Sequence, residues 1–327
     1  MSADLILSTL LSPIVLFFVL GLGAALLRSE MTVPQSFAKG LAIYLMMAIG
    51  LKGGVEMSKT ALTPDILGIA LVSLILSFGM PFIAYLVLRV CSKMSRIDAA
   101  ATAGHYGSIS IVTFVAATQA LQLAGIVTSG YMVAMAALME VPAIMSALLL
   151  ARRGMKAEGE IAGSEKGELF REVFLNASVV VLVGALVIGW ISGEPGMEKI
   201  SPFFVTPFQG VLCLFLLDMG LNAGRGLRRG WRQLDAGALS FGIVMPLIGA
   251  ALASGFSALL GLSVGNAALL ITLTASASYI AVPAAMRLAL PKAQPSIYLT
   301  LSLGVTFPFN LTLGIPLYIV LAQMVGG

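Results

Sequence analysis

The sequence predicts an all-α integral membrane protein of ten transmembrane helices, built as two inverted five-helix repeats. Composition is the first support. Of 327 residues, 59% are apolar and 10% charged, and the mean hydropathy is +1.01. Soluble domains carry about 25% charged residues, so a water-soluble globule is excluded. The second support is that the apolar runs are continuous, not alternating, which excludes a β-barrel. At about 20 residues per crossing of a hydrocarbon core about 30 Å thick, the chain holds about ten spans and no further soluble domain. The third is a set of motifs that occurs twice.

The spans are read at 5–27, 35–54, 66–90, 98–120, 129–151, 172–192, 201–223, 237–260, 264–288 and 295–324. The first follows MSAD, which has no basic region, so it is expected to stay as a span. The hydrophilic stretch ARRGMKAEGEIAGSEKGELFRE (151–172) supplies a linker at 152–171 between repeats 1–151 and 172–327. Cys91 and Cys213 lie in apolar segments without metal-binding or CxxC spacing and read as buried free thiols.

The repeated motifs fall in one order. AIGLKGG (48–54) matches DMGLNAG (218–224), and SFGMP (77–81) matches SFGIVMP (240–246). GHYGSIS (104–110) matches TASASYIA (274–281), and Pro142 matches Pro308. A five-span unit crosses an odd number of times, so its copy enters from the opposite side, a frequent plan of secondary transporters. With the N-terminus outside, 16 of the 19 basic residues fall in inside loops, leaving Lys52, Lys59 and Lys199 outside. The positive-inside rule thus places the protein in the cell membrane with both termini external and the linker cytoplasmic. The net charge of +4 is spread through these loops and points to membrane orientation, with no nucleic-acid partner.

Spans four and nine concentrate small and hydroxyl residues. Span four carries Thr102, Gly104, Gly107, Ser108, Ser110 and Thr113; span nine carries Thr272, Thr274, Ala275, Ser276, Ala277, Ser278 and Pro283. Proline predicts a break near 278–283, and Gly104 with Gly107 permits one in span four. Two broken helices facing each other would present positive dipole ends to an anion without a buried Arg or Lys. The alternative is close helix packing through small residues.

His105, Glu140 and Asp218 are ionisable side chains away from the span ends, and such groups face a cavity or a partner. His105 is either a pH-sensitive neighbour of the site or a neutral histidine bonded to a facing helix. Glu140 is a candidate to hold a cation or pair with His105, and Asp218 to hold a cation or pair with Arg225. Asn310 and Thr312 add polar contacts in span ten, so His105, Glu140, Asp218 and Asn310 form the candidate coupling set. No HExxH, Walker loop or GxGxxG occurs, and the chain is not read as an enzyme.

AIGLKGG, GHYGSIS, TASASYIAVPAAMR, LPKAQPSIYLTLSLG and FPFNLTLGIPLYIVLAQ together resemble the SbtA-type sodium-dependent bicarbonate transporters over essentially the whole chain. The resemblance implies a gate and a core domain assembled from both repeats, bicarbonate bound between the broken helices, and sodium symport. It also implies a trimer, regulation by a PII-like protein at the cytoplasmic face, and no cofactor beyond sodium. Carried onto this chain, the substrate site comprises Gly107, Ser108, Ser110, Thr113, Ala275, Ser276, Ala277 and Ser278. Three places depart from the family: Ile111, Val112 and Thr113 replace a Gly-Ser-Thr run, Tyr279 replaces an Asp, and Ala281 and Val282 replace Ser-Gly. The Asp is a hard oxygen ligand suited to sodium, so Tyr279 is expected to weaken sodium dependence. Another small carboxylate or anion without sodium coupling, or a transport-inactive scaffold or sensor, are the other readings.

Overall fold

The computed structural model describes residues 11–59, 63–157, 177–230, 234–279, 282–283, 286, 290 and 292–326. These residues form helices and their connections, with no strand among them. The helices are α1 (Pro13–Leu26), α2 (Gln35–Ser58), α3 (Pro64–Cys91), α4 (Arg96–His105), α5 (Ile111–Leu123), α6 (Met132–Leu138) and α7 (Glu140–Ala157). They continue with α8 (Ala177–Phe204), α9 (Phe208–Gly230), α10 (Ala236–Leu259), α11 (Val264–Thr274) and the long α12 (Pro295–Val325). Seven apolar stretches are long enough to cross a membrane: α2, α3, the α6–α7 run Met132–Leu150, most of α8, most of α9, α10 and α12. α1, α5 and α11 are shorter apolar helices. The chain is therefore an α-helical membrane protein.

One expected span changes shape. The sixth was read at 172–192, but α8 continues to Phe204 across a kink at Gly193, where φ is 57°. Pro195 has no N–H to bond the Ile191 carbonyl, and glycine accepts the positive φ that redirects the chain. Cys91 is a correction. It ends α3 and is exposed, because the helix stops there, whereas Cys213 is buried as expected.

The most extensive helix pairs are α2 with α8 and α9 with α1. Both are glycine seams built from the duplicated motif. A Cβ on Gly54 would overlap the Leu186 carbonyl oxygen, and one on Gly50 would lie 2.7 Å from that of Leu182. On the other seam a Cβ on Gly220 would overlap the Phe18 oxygen, and one on Gly224 would sit 2.9 Å from the Leu22 oxygen. Backbones approach this closely only where side chains are absent, the same device that joins helices within lipid.

Polar contacts sort the connections onto two ends of the bundle. At one end Lys59 pairs with Glu194 at 3.1 Å, and Asn266 bonds Ser129 and Tyr131. At the other end the Lys93 N–H donates to Asp235, the Gln294 N–H to Asp98, and Arg225 and Arg228 to the Met31 and Ala25 carbonyls. Between these ends, α4, α5 and α11 stop short. At 1.5 Å per residue they span about 15–20 Å each, roughly half a hydrocarbon core.

α12 compensates with irregularity. It contains π-helical turns over Thr300–Thr306 and Asn310–Gly314. Each lies just before a proline, Pro308 and Pro316, whose missing N–H would have served the carbonyl four residues earlier, at Gly304 and Thr312. The widened turns keep the helix continuous and aim polar side chains inward.

Candidate functional site

The breaks in α4–α5 and after α11 meet at the centre of the bundle. Ser110 caps α5, its hydroxyl accepting the Thr113 N–H at 3.1 Å. The N–H groups of Ile111 and Val112 have no acceptor within that helix. α11 ends at Thr274, earlier than the expected 278–283. The hydroxyls of Thr272, Thr274 and Ser276 bond the carbonyls of Ala268, Leu270 and Leu273, competing with the helical ladder. The residues around Pro283 fall largely outside the described residues, so the second half-helix of the expected pair does too.

The two breaks are tied directly to each other. The Ser278 N–H donates to the His105 carbonyl at 2.7 Å, and His105 Nδ1 lies 2.5 Å from the Ser278 carbonyl. Because that carbonyl only accepts, Nδ1 carries the proton, which ties the His105 ring to a facing segment. Its ring stacks on Tyr298 at 4.8 Å. The Ser110 N–H donates to Ser276 Oγ at 2.9 Å, and Ser110 Oγ to the Tyr279 hydroxyl at 3.2 Å.

A small cleft opens beside this junction, lined by Ser110, Ser278, Tyr279, Ile109, Ile111 and Glu140 on one side and by Met46 and Leu182 on the other. Its free space for the centres of water-sized molecules is about 20 Å³, enough for one water or a comparably small particle. The Glu140 carboxylate accepts Ser108 Oγ–H at 3.1 Å and is also bonded by the Ile109 N–H. One wall is thus polar and comes from the breaks; the other is apolar and comes from the α2–α8 seam.

The sequence-predicted residues divide accordingly. Ser110 and Ser278 line the cleft, Ser108 stands behind Glu140, and Thr113 and Ser276 hold Ser110. Gly107 serves packing, since a Cβ there would overlap the ring of Pro81. Ala277 packs in the apolar cluster with Tyr106 and Phe241, away from the cleft. Ala275 offers its carbonyl to Asn310 Nδ2 at 3.0 Å. Glu140 does not pair with His105, whose Nδ1 bonds Ser278 and whose Nε2 meets no hydrogen-bond partner among the described residues. Asp218 accepts from Asn222 on its own helix, while Arg225 bonds the Met31 carbonyl. Among the described residues no group of three His, Cys, Asp or Glu gathers to hold a metal ion.

Sequence reasoning named Asn310 on α12 but missed Tyr318 and Thr306. Tyr318 OH donates to Asn310 Oδ1 at 2.6 Å and so fixes the amide that caps Ala275. Thr306 bonds the Gly242 carbonyl at 2.6 Å and the Tyr106 hydroxyl at 2.7 Å, at the end of α4. Met46 and Leu182 were also missed, because apolar residues facing a cleft look like residues facing lipid.

Residues 13–323 match the family described as the Na+-dependent bicarbonate transporter superfamily. The chain belongs to this superfamily. No curated protein matches it. Membership in the Na+-dependent bicarbonate transporter superfamily supports a transport role over an enzymatic one, with a small anion as the class of substrate.

Proposed function

We propose that the protein is a secondary transporter that carries a small anion, bicarbonate first, through the cleft between the broken helices. The observation that carries this reading is the cleft itself: it is lined by Ser110 and Ile111 at the amino end of α5 and by Ser278 and Tyr279, with no Lys or Arg among the lining residues. Helix amino ends and hydroxyls favour an anion and release it more readily than a fixed cation would. The apolar wall of Met46 and Leu182 supplies a surface against which the polar wall can slide.

The same reading includes ten spans in two inverted repeats. The reciprocal seams support it: α2 packs on the first helix of the second half, and α9 on the first helix of the first half. It places the Lys59–Glu194 end outside and the arginine-rich end in the cytoplasm. Sodium coupling is weakened by Tyr279, and trimer formation and a PII-like cytoplasmic partner follow only from family membership.

The test is counterflow of labelled bicarbonate in proteoliposomes against protein-free vesicles, with no ion gradient. Exchange above the protein-free rate is expected, reduced by Ser110→Ala, which removes the α5 cap and the Tyr279 contact. Absence of exchange in the unmodified protein would favour the scaffold reading.

A further inference from the structure

Glu140 is 6% exposed, lines the cleft, and has no basic partner: among the described residues the ion pairs are those of Lys59 with Glu56 and Glu194. Its carboxylate receives the Ser108 O–H and the Ile109 N–H. A carboxylate only accepts, and its two oxygens offer about four lone-pair directions, so these bonds leave accepting capacity open. The other polar groups of this wall give hydrogens. Thr113 donates to Ser110 Oγ through both its N–H and its O–H, so the Ser110 hydrogen goes to Tyr279. The Tyr279 hydroxyl accepts in that bond, and its own hydrogen is not used there. The Ile111 N–H, at the amino end of α5, has no acceptor within its helix. The wall thus sets donors on one side and a single acceptor-only group, Glu140, on the other.

We propose that Glu140 determines the specificity of the cleft by accepting the O–H of the transported anion, so that the cleft selects an oxyanion bearing one hydroxyl hydrogen. This rests on the anion-transport reading above and adds the recognition chemistry to it. Hydrogencarbonate matches the pattern: its two bare oxygens accept from the donor side, and its O–H donates to Glu140. Nitrate has the same charge and the same planar, three-oxygen outline but no hydrogen. Against Glu140 it would set oxygen on oxygen and leave a buried acceptor unpaired, the arrangement by which a polar site rejects an analogue lacking a hydroxyl. Repulsion between the carboxylate and the anion's charge is common to both ligands, so it lowers affinity without choosing between them. The Met46 and Leu182 side chains opposite donate no hydrogen bond, which leaves the choice to the polar wall.

The experiment measures binding: isothermal titration of the full chain in detergent with sodium hydrogencarbonate and with sodium nitrate. Sealed cells, constant sodium and a fixed pH at which hydrogencarbonate is the main carbonate species are used. Detergent solution has no second compartment, so passage of CO2 through lipid plays no part. Hydrogencarbonate is expected to bind about ten- to a hundredfold more tightly than nitrate, as one hydrogen bond to a charged group implies. In Glu140→Gln an NH2 stands where a carboxylate oxygen stood. Loss of the charge raises both affinities alike, and the preference for hydrogencarbonate is expected to fall at least about tenfold. Nitrate binding the unmodified protein as tightly as hydrogencarbonate would overturn the proposal while leaving the anion-transport reading in place, and that arm needs no variant. An unchanged preference in Glu140→Gln, with a size-exclusion profile matching the unmodified protein, would overturn it too. If neither anion binds, the transport reading fails and the proposal falls with it.

Discussion

His105 and Ser278, 173 residues apart, are joined by a double clasp: imidazole Nδ1 to carbonyl at 2.5 Å, and amide N–H to carbonyl at 2.7 Å. It locks two interrupted helices from opposite halves of the chain. His105→Leu removes one half of the clasp and leaves the Ser278 carbonyl unpaired in a dry interior, a cost of about 1–3 kcal/mol. His105→Asn places an amide donor near the position of Nδ1 and is expected to lose less. Thermal unfolding in detergent, followed for both variants, checks the order.

Much of this region was legible in the sequence. Gly104, Gly107 and Pro283 signalled interrupted helices, and Ser110 and Ser278 signalled polar lining. The position of the second break was not, because three successive hydroxyls back-bonding to their own helix end it at Thr274, before the proline acts. The partners of His105, Glu140 and Asn310 were also illegible. Each depends on which backbone group a distant segment happens to present, and no spacing encodes that. Thr306 and Asn310 reach the breaks only through π-helical turns, so an ordinary helical projection puts them on the wrong faces.

The glycine seams yield a contrast with a glycine outside them. Gly54→Ala and Gly220→Ala each force a methyl group into a facing carbonyl and are expected to destabilise by about 1–3 kcal/mol. Gly184→Ala, on α8 but with nothing within 4 Å, is expected to be neutral or stabilising. Monodispersity and unfolding temperature in detergent measure the difference.

Asp235 caps α10 through the Ala238 N–H at 2.7 Å and accepts the Lys93 N–H at 2.7 Å. These bonds, the Lys93 one foremost, hold its carboxyl below the usual carboxylate range. A lowered folded value means stabilisation that is complete above the unfolded value, about 3.9, and lost as pH falls through the folded one. Asp235→Ala is expected to cost about 1 kcal/mol near neutrality. The gap from the unmodified protein should close below about pH 4. Asp235→Asn, which still caps, should retain most of the stability at neutral pH. Unfolding temperatures across pH 3–7 supply the check.

Tyr279 donates no charge to the cleft; its hydroxyl accepts from Ser110 and its ring packs edge-on against Phe307 at 5.1 Å. Thermal stability is therefore expected to be similar in sodium and choline buffers. Tyr279→Asp is expected to introduce a sodium-dependent stabilisation by adding a hard oxygen ligand. Strong sodium dependence in the unmodified protein would contradict this.

Topology is tested at residue 164, in the linker. In a Cys91→Ser background, Ser164→Cys should react with a membrane-impermeant maleimide only after permeabilisation from the external side. Labelling of intact cells would reverse the orientation of every helix.

The two glycine seams also impose an order on biosynthesis. The ribosome delivers α2 well before residues 182–190, the stretch of α8 on which Gly50 and Gly54 lie, have been made. Until then the small-residue face of α2 borders only lipid, which fills its grooves poorly. α1 waits longer still, for Gly220 and Gly224. The early helices are thus inserted before their permanent neighbours exist, and a chain truncated after the linker retains two unmatched surfaces. Completion of the fold is a late event in which the newest helices close around the oldest.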